Sequence, residues 1–316
     1  MRVPIRHTDP VVLLGSCFSE HIGEKLRSAK FRVVENPHGI LFNPISIARA
    51  VTAYIENRVY TEADLFELNE TWHSWDHHSR FSSPDKADAL EKINAAVRET
   101  HEFLKTAGWV IITLGSAFSY ELAENNRPVA NCHKAPANWF RRRLLTTEDV
   151  LTALDNMVHR LRFYNPNLKI LFTISPVRHL REGMIENNRS KAVLIQAVHH
   201  LVDKFEGLFY FPAYELVIDD LRDYRFYAED MVHPNYQATE YVWKKLMESC
   251  MDAETQDLIK ELRQIELSYK HRPFNPNTRQ HKKFLQDQLK RATDLQKSHP
   301  YLDLSKELLY FAQGEW

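Results

Sequence analysis

The residues with the most chemical promise are Gly15-Ser16-Cys17, which follow the apolar run Val11-Val12-Leu13-Leu14 and precede a helical pattern. A hydroxyl or thiol at such a turn sits at a helix N-terminus, where unpaired amides and the helix dipole favour a developing negative charge. A thiol there is expected to ionise more easily, and a hydroxyl has amides ready for an oxyanion. Alone, a Gly-Ser turn between strand and helix is often only an N-cap. Asp230-x-x-His233 adds a partner, because that spacing lets a carboxylate orient an imidazole as the general base a weak nucleophile needs. Two nucleophiles stay open. Cys17 needs less activation than a hydroxyl; in the alternative, Ser16 attacks while Cys17 packs inward as a small apolar residue.

Three further groups carry polar or aromatic side chains. Trp72-His73-Ser74-Trp75-Asp76-His77-His78 places His73 and His77 four apart, a metal-ligand spacing on a helix. Its serine and aromatic content points instead to a strand or loop, and no HExxH pattern appears, so no metal is expected. Trp75 and His78 are read as a pocket wall, stacking on a sugar-like or aromatic group. In Asn131-Cys132-His133-Lys134, His133 and Lys134 join Arg178 as candidate substrate contacts, the two cations facing a carboxylate or other anion. A redox link between Cys132 and Cys17 is a further reading of the thiols. The aromatic ladder Tyr210, Phe211, Tyr214, Tyr224, Phe226 and Tyr227 reads as structure.

The elements that must position these groups alternate. Strand patterns fall at Val11–Leu14, Phe31–Val34, Trp109–Leu114, Lys169–Ile174 and Leu208–Phe211. Helical periods fill Phe18–Lys30, Ile45–Ile55, Ala87–Leu104, Thr147–Arg162 (capped by Thr147), Ser190–Phe205 and Tyr236–Met251. A hairpin is expected from Phe118–Leu122 and Val129–Cys132, turning at Glu124-Asn125-Asn126-Arg127. Such alternation predicts an α/β fold, a mainly parallel five-stranded sheet covered on both faces, with working groups collected at the carboxyl ends of its strands. Residues 1–251 form this domain. From Asp252 no strand pattern remains, and Pro273 and Pro276 punctuate two helical stretches, so 252–316 reads as a helical C-terminal extension that packs on the sheet domain or mediates association.

Composition narrows the classes. The chain has 316 residues, 44% apolar and 26% charged, which suits a globular core. Its 41 basic and 42 acidic residues balance to a net charge of −1, giving no case for nucleic acid. Three widely spaced cysteines suit a reducing compartment better than a disulfide framework. Val11–Leu14 is shorter than the roughly 7–15 residues of a signal h-region, and nothing nears the ~18 apolar residues of a spanning helix. A cytoplasmic protein without membrane attachment is expected. The sequence is silent on oligomeric state.

The ordered set Gly15-Ser16-Cys17-Phe18, Asn36-Pro37-x-Gly39 with Asn43-Pro44, Asn131-Cys132-His133-Lys134, Ser175-Pro176-Val177-Arg178-His179, Glu186-Asn187-Asn188 with Ser190-Lys191-Ala192, and Asp230-x-x-His233-Pro234-Asn235 resembles the GSCFA family, a bacterial group related to the SGNH (GDSL-like) hydrolases. Ser19 departs from the alanine of the family name. The resemblance implies a flavodoxin-like three-layer α/β/α sandwich with the nucleophile after the first strand. Laid on the Gly-Asp-Ser turn of the wider class, Gly15-Ser16-Cys17 puts Cys17 at the nucleophile position. The third-strand turn, Gly115-Ser116-Ala117-Phe118, lacks the class's Gly-x-Asn-Asp, so its oxyanion asparagine is missing. Asn131 or Asn36 is expected to replace it, beside the backbone amide of Gly39. The implied activity is hydrolysis of an ester or acetyl group, on a small or carbohydrate-linked acyl substrate, without metal or organic cofactor. Two alternatives stand: a non-catalytic binding module on the same scaffold, and a thiol-dependent acyl-transfer or redox protein using Cys17.

Overall fold

A computed structural model describes residues 3–314. β1 (Val11–Gly15) leads into α1 (Cys17–Ser28), and β2 (Val33–Glu35) is followed by α2 (Pro44–Ile55). A short hairpin, β3 (Leu65–Leu68) and β4 (Thr71–Ser74), precedes α3 (Lys86–Thr106) and β5 (Trp109–Leu114). A second antiparallel group follows, made of β6 (Phe118–Leu122), β7 (Pro128–Val129) and β8 (Phe140–Leu144). Then come α4 (Thr147–Tyr164), β9 (Lys169–Ile174), α5 (Gly183–Lys204), β10 (Leu208–Phe211), the single turn α6 (Ala213–Glu215) and α7 (Tyr236–Cys250). Three more helices complete the described chain: α8 (Ala253–Lys270), α9 (Arg279–Ser298) and α10 (Ser305–Gln313).

The central sheet has five strands in the order β10-β9-β5-β1-β2, every neighbouring pair parallel. Alternation along its strands shows both faces covered. Val12, Leu14, Val110, Ile112, Ile170 and Phe172 join a core with residues of α2 to α5. Leu13, Ile111 and Leu171, which point the other way, are just as buried. A strand buried on both sides reads as a continuous apolar run, which is why these strands were legible. The fold is therefore the expected α/β class with a five-stranded parallel sheet.

Several local readings shift. The cap of α4 is Thr146, whose hydroxyl accepts from the Asp149 amide while Asp149 reaches back to the Thr146 amide. Helix α5 begins at Gly183, seven residues before the expected start. The predicted hairpin gains a third strand, β8, on the far edge of β6. Its sequence, Phe-Arg-Arg-Arg-Leu, gave no strand signal because its arginines face solvent on an edge.

The chain divides into two compact units. One comprises residues 9–23 and 33–246 and holds the sheet. The other comprises the described residues of 1–8, 24–32 and 247–316. Its core is Leu258, Leu262, Ile265, Leu285, Leu295 and Phe311 from α8 to α10. Residues near the start of the chain are stitched to it: Ile5 forms a parallel bridge with Met251, and the His7 amide donates to Thr255 Oγ1 at 2.9 Å. Among the described residues no helix is long and apolar enough to cross a membrane.

Candidate active site

Chain direction splits at β1, which continues to β2 on one side and has β5 as its other neighbour. A crevice at the carboxyl ends of β1 and β5 is where open α/β sheets place their ligands. Gly15 ends β1 there with φ +137°, and a Cβ would lie 2.1 Å from the Thr113 carbonyl oxygen of β5. Only glycine satisfies both demands. The turn is clamped from both sides. The Ser16 amide donates to the Thr113 carbonyl at 3.1 Å, the Leu41 amide to the Gly15 carbonyl at 2.9 Å, and the Gly15 amide to Asn36 Oδ1 at 2.9 Å.

The two candidate nucleophiles are treated differently. Ser16 is 1% exposed, and its Oγ accepts the Phe18 amide at 3.3 Å, the capping role of a helix start. Cys17 is half-buried. Burial and then the Glu20 carboxylate push its thiol above the ordinary range, opposed by the Cys17 and Phe18 amides and by Lys191. The easily ionised thiol expected from a helix N-terminus is thus not what the resting site presents, because desolvation outweighs the amides and the dipole.

Asp230 and His233 form the expected pair. His233 Nδ1 donates to Asp230 Oδ2 at 2.6 Å, while Asp230 Oδ1 accepts the Val232 and His233 amides at 2.9 and 3.0 Å. The His233 amide, the His233 ring and the Val232 amide hold the Asp230 carboxyl down to about 2. The ring is orientated with its other nitrogen, Nε2, carrying no hydrogen bond among the described residues. The loop docks on the segment after β9, where the Arg178 amide donates to the Val232 carbonyl at 3.2 Å. No hydrogen bond joins His233 to Ser16 or Cys17 among the described residues.

Arg178, expected to face substrate, serves this docking instead. Its guanidinium lies over Tyr227 at 4.2 Å and Tyr224 at 5.1 Å and reaches the Met231 carbonyl at 3.4 Å. Gly39 is also reassigned. Its amide donates to the Asn36 carbonyl at 2.6 Å inside its own turn and is not free for an oxyanion. Its φ of +80° and a virtual Cβ 2.1 Å from His78 Cβ explain the glycine. Asn36 keeps the role open to it. It is 1% exposed, its Oδ1 is spent on Gly15, and its Nδ2 is a buried donor without a partner.

Asn131 lies elsewhere, on the wall of a cavity of about 570 Å³ shared with Phe42, Ser116, Cys132, His133, Lys134 and others from β6, β8 and the segment after β9. Its Oδ1 accepts the His133 amide at 2.8 Å. His133 and Lys134 both hold left-handed backbone, φ +48° and +58°. The His133 ring is engaged at both nitrogens, by the Ser74 carbonyl at 2.8 Å and Ser79 Oγ at 3.3 Å, and burial lowers it to about 4. Ser16, Cys17 and His233 are not among the residues lining this cavity. Phe42 bridges the two places: a Cβ on Gly115 would lie 3.1 Å from the Phe42 ring and 3.3 Å from Ser16 Cβ.

Trp75 and His78 do not form a stacking platform. The Trp75 ring lies against Phe66 with centroids 3.5 Å apart and meets Phe140 edge-on, within a small apolar cluster with Leu122 and Val129. His78 packs its Cβ on Gly39 and accepts the Arg80 amide at 3.4 Å. His73 and His77 go to different partners, Ser82 Oγ at 2.7 Å and Ser74 Oγ at 2.9 Å, and His77 stacks on His38 at 4.0 Å. All three cysteines are free thiols. That of Cys132 is pushed up to about 11 by burial.

Lys191 is a further buried polar group at these strand ends, and no turn motif singles it out. Its position in α5 shares the buried face of Asn187, Ser190, Leu194 and Val198. A lysine in such a period was the available signal, since lysine is almost never fully buried without a reason. Its Nζ donates to the carbonyls of Gly115 and Ser175 at 2.7 Å each. Burial lowers its pKa to about 7. Beside it, Ser190 Oγ accepts the Ala117 amide at 2.7 Å.

Comparison with known proteins places the chain. A carbohydrate esterase family 3 protein from Talaromyces cellulolyticus aligns with a TM-score of 0.37 and 10% identity, over 80% of this chain and 99% of that one. An acetyl xylan esterase from the rumen bacterium Butyrivibrio proteoclasticus aligns with a TM-score of 0.36 and 11% identity, over 78% of this chain and 64% of that one. No curated protein matches the sequence. Residues 262–314 match the GSCFA domain protein, C-terminal domain. Residues 10–246, which contain every element of the crevice described above, match the GSCFA family, and the chain belongs to that family.

Proposed function

We propose that this protein is an acyl hydrolase that cleaves an ester or acetyl group through a covalent intermediate on Cys17. The observation that carries the reading is the pairing of an orientated imidazole with a spare Nε2 and a buried amide with a spare Nδ2, both on loops at the carboxyl end of the sheet that carries the Gly15-Ser16-Cys17 turn. Capping by Ser16, against the half-buried thiol of its neighbour, supports Cys17 as the attacking atom.

In this reading His233 Nε2 takes the proton of Cys17 as Sγ attacks the acyl carbonyl carbon, and Asp230 holds the imidazolium by Nδ1. The carbonyl oxygen becomes an oxyanion held by Asn36 Nδ2 and the Cys17 amide. Collapse breaks the ester bond, the leaving oxygen takes the proton from His233, and water then cleaves the thioester with His233 as base. Hydrogen bonds of this kind are often long or unmade in a resting enzyme and form in the complex, so the missing bond between His233 and the turn is compatible with the relay. The Phe42-lined cavity has the size of a small-ligand site, and Phe118 and Phe140 give it apolar wall for an acyl or sugar-linked group.

Site-resolved labelling with iodoacetamide and, separately, a fluorophosphonate tests the scheme on wild type, Ser16→Ala, Cys17→Ala and His233→Ala. Labelling at Cys17 that falls in His233→Ala is expected, together with hydrolysis of small acetyl esters lost in Cys17→Ala. Absence of any His233-dependent labelling at residues 16 and 17 overturns covalent catalysis. The missing bond between His233 and the turn motivates one other reading, a binding module on the same scaffold, which that outcome would favour.

A further inference from the structure

Lys191 is 1% exposed, yet it has no ion pair with a carboxylate among the described residues. Its two hydrogen bonds go to neutral acceptors, the carbonyls of Gly115 and Ser175, where β5 and β9 end. The Tyr214 ring lies beneath the ammonium, 5.8 Å to its centroid. Carbonyl dipoles and a ring face orient an ammonium, but they leave its charge formally unmatched, and an ammonium has a third N–H to offer. Gly115 is also the residue packed against Ser16, its virtual Cβ 3.3 Å from Ser16 Cβ. The cation is thereby anchored to the carbonyl of the residue that packs against Ser16.

The charged groups facing this place are few. Cys17 is the ionisable group whose negative form acts favourably on Lys191, and Lys191 in turn favours the Cys17 thiolate. Glu20, on the first turn of α1, opposes the thiolate. His179 feels Lys191 as a like charge, which adds to its burial in keeping it neutral.

We propose that Lys191 is a positioning residue whose ammonium supplies the counter-charge for a Cys17 thiolate, and that it thereby selects Cys17 over Ser16 as nucleophile. The proposal rests on the reading of Cys17 as the attacking atom. On ionisation the Sγ–H bond breaks, the electron pair stays on sulfur and the proton goes to His233 Nε2. In its protonated form Lys191 takes no part in the transfer and offsets the new charge at a site that burial otherwise makes hostile to it. Ionisation is then cooperative: a thiolate strengthens the hold of Lys191 on its proton, and a protonated Lys191 stabilises the thiolate.

The test is the pH profile of site-resolved iodoacetamide alkylation at Cys17, in the full chain, for wild type and Lys191→Met. An opposite charge within about 4–6 Å shifts a titration by roughly one to three pH units, and by less at longer range. The midpoint in Lys191→Met is therefore expected to rise by roughly half a pH unit or more. A loss of the two carbonyl bonds that was merely structural would change the melting temperature and leave the midpoint where it was; an unchanged midpoint in folded Lys191→Met overturns the proposal. Should that variant fail to fold, lysine side chains labelled at Cε are titrated by NMR in wild type and Cys17→Ala. One lysine titrating far below the others, and moving lower still in Cys17→Ala, is expected; the same midpoint in both proteins overturns the pairing. Neither readout needs turnover. Coupled midpoints without ester hydrolysis would sink the proposed function and leave the pair standing, and hydrolysis with independent midpoints would do the reverse.

Discussion

Asn36 holds a left-handed backbone conformation, φ +44°, which asparagine and aspartate tolerate better than most residues. That conformation turns its side chain onto the Gly15 amide and leaves Nδ2 buried with no partner. An unmade buried donor costs free energy, so a ligand that accepts from it would recover what the resting fold forgoes. Asn36→Asp is a sharp probe, since it keeps the acceptor for Gly15 and the left-handed geometry while deleting the donor. Under the proposed mechanism kcat on an acetyl ester falls by about 10²-fold, as for other lost oxyanion donors, with the circular-dichroism spectrum unchanged. A kcat within threefold of wild type would remove Asn36 from the mechanism.

Between elements, the most consequential tie outside the crevice is Asp76. Its side chain is 9% exposed and pairs with Arg49 of α2 at 2.8 Å and with Arg127, just before β7, at 3.0 Å. Arg49 also donates to the Pro128 carbonyl at 3.1 Å, so one carboxylate fastens the antiparallel group to the helix layer. Asp76→Ala leaves two guanidiniums facing each other. Because both remain about one-third exposed, the expected loss lies below that of a fully buried pair, roughly 2 kcal/mol by chemical denaturation. A change under about 0.5 kcal/mol would show that water replaces the carboxylate freely. In sequence, Asp76 stood inside an aromatic and histidine cluster that invited a binding role. Its partners lie 27 and 51 residues away, beyond any local pattern.

For the sheet unit as a whole, buried histidines set the acid limit. Burial lowers His77 to about 3 and His133 to about 4, and puts His38 well below the usual value of 6.5. Each is bound neutral in the native state and charges more readily when unfolded. A depressed folded pKa gives a contribution that is complete above 6.5 and is lost as pH falls towards 4 and then 3. Unfolding free energy should therefore decline between pH 6.5 and 4 by roughly 1.4 kcal/mol per pH unit for each such group. Denaturant titrations at pH 7, 6, 5 and 4 measure the slope, and His77→Gln is expected to flatten it. A pH-independent stability over that range would contradict the burial of these rings.

The class of fold could be read from the amino-acid order alone, and so could the two short motifs proposed as the site. Strands buried on both faces write themselves as unbroken apolar runs, so β5, β9 and β10 were legible to the residue. Gly15-Ser16-Cys17 and Asp230-x-x-His233 were legible because turns and short-range hydrogen bonds depend on neighbours in the chain. Tertiary structure decided what each polar group is used for. It spent the Gly39 amide on Asn36, the Trp75 ring on Phe66 and the Arg178 guanidinium on two tyrosines. It also carried Lys191 from the middle of a helix to the ends of two strands. Hydrogen-bond saturation and burial are properties of the packed assembly of residues, so packing decides which donors, acceptors and charges remain free to do chemistry.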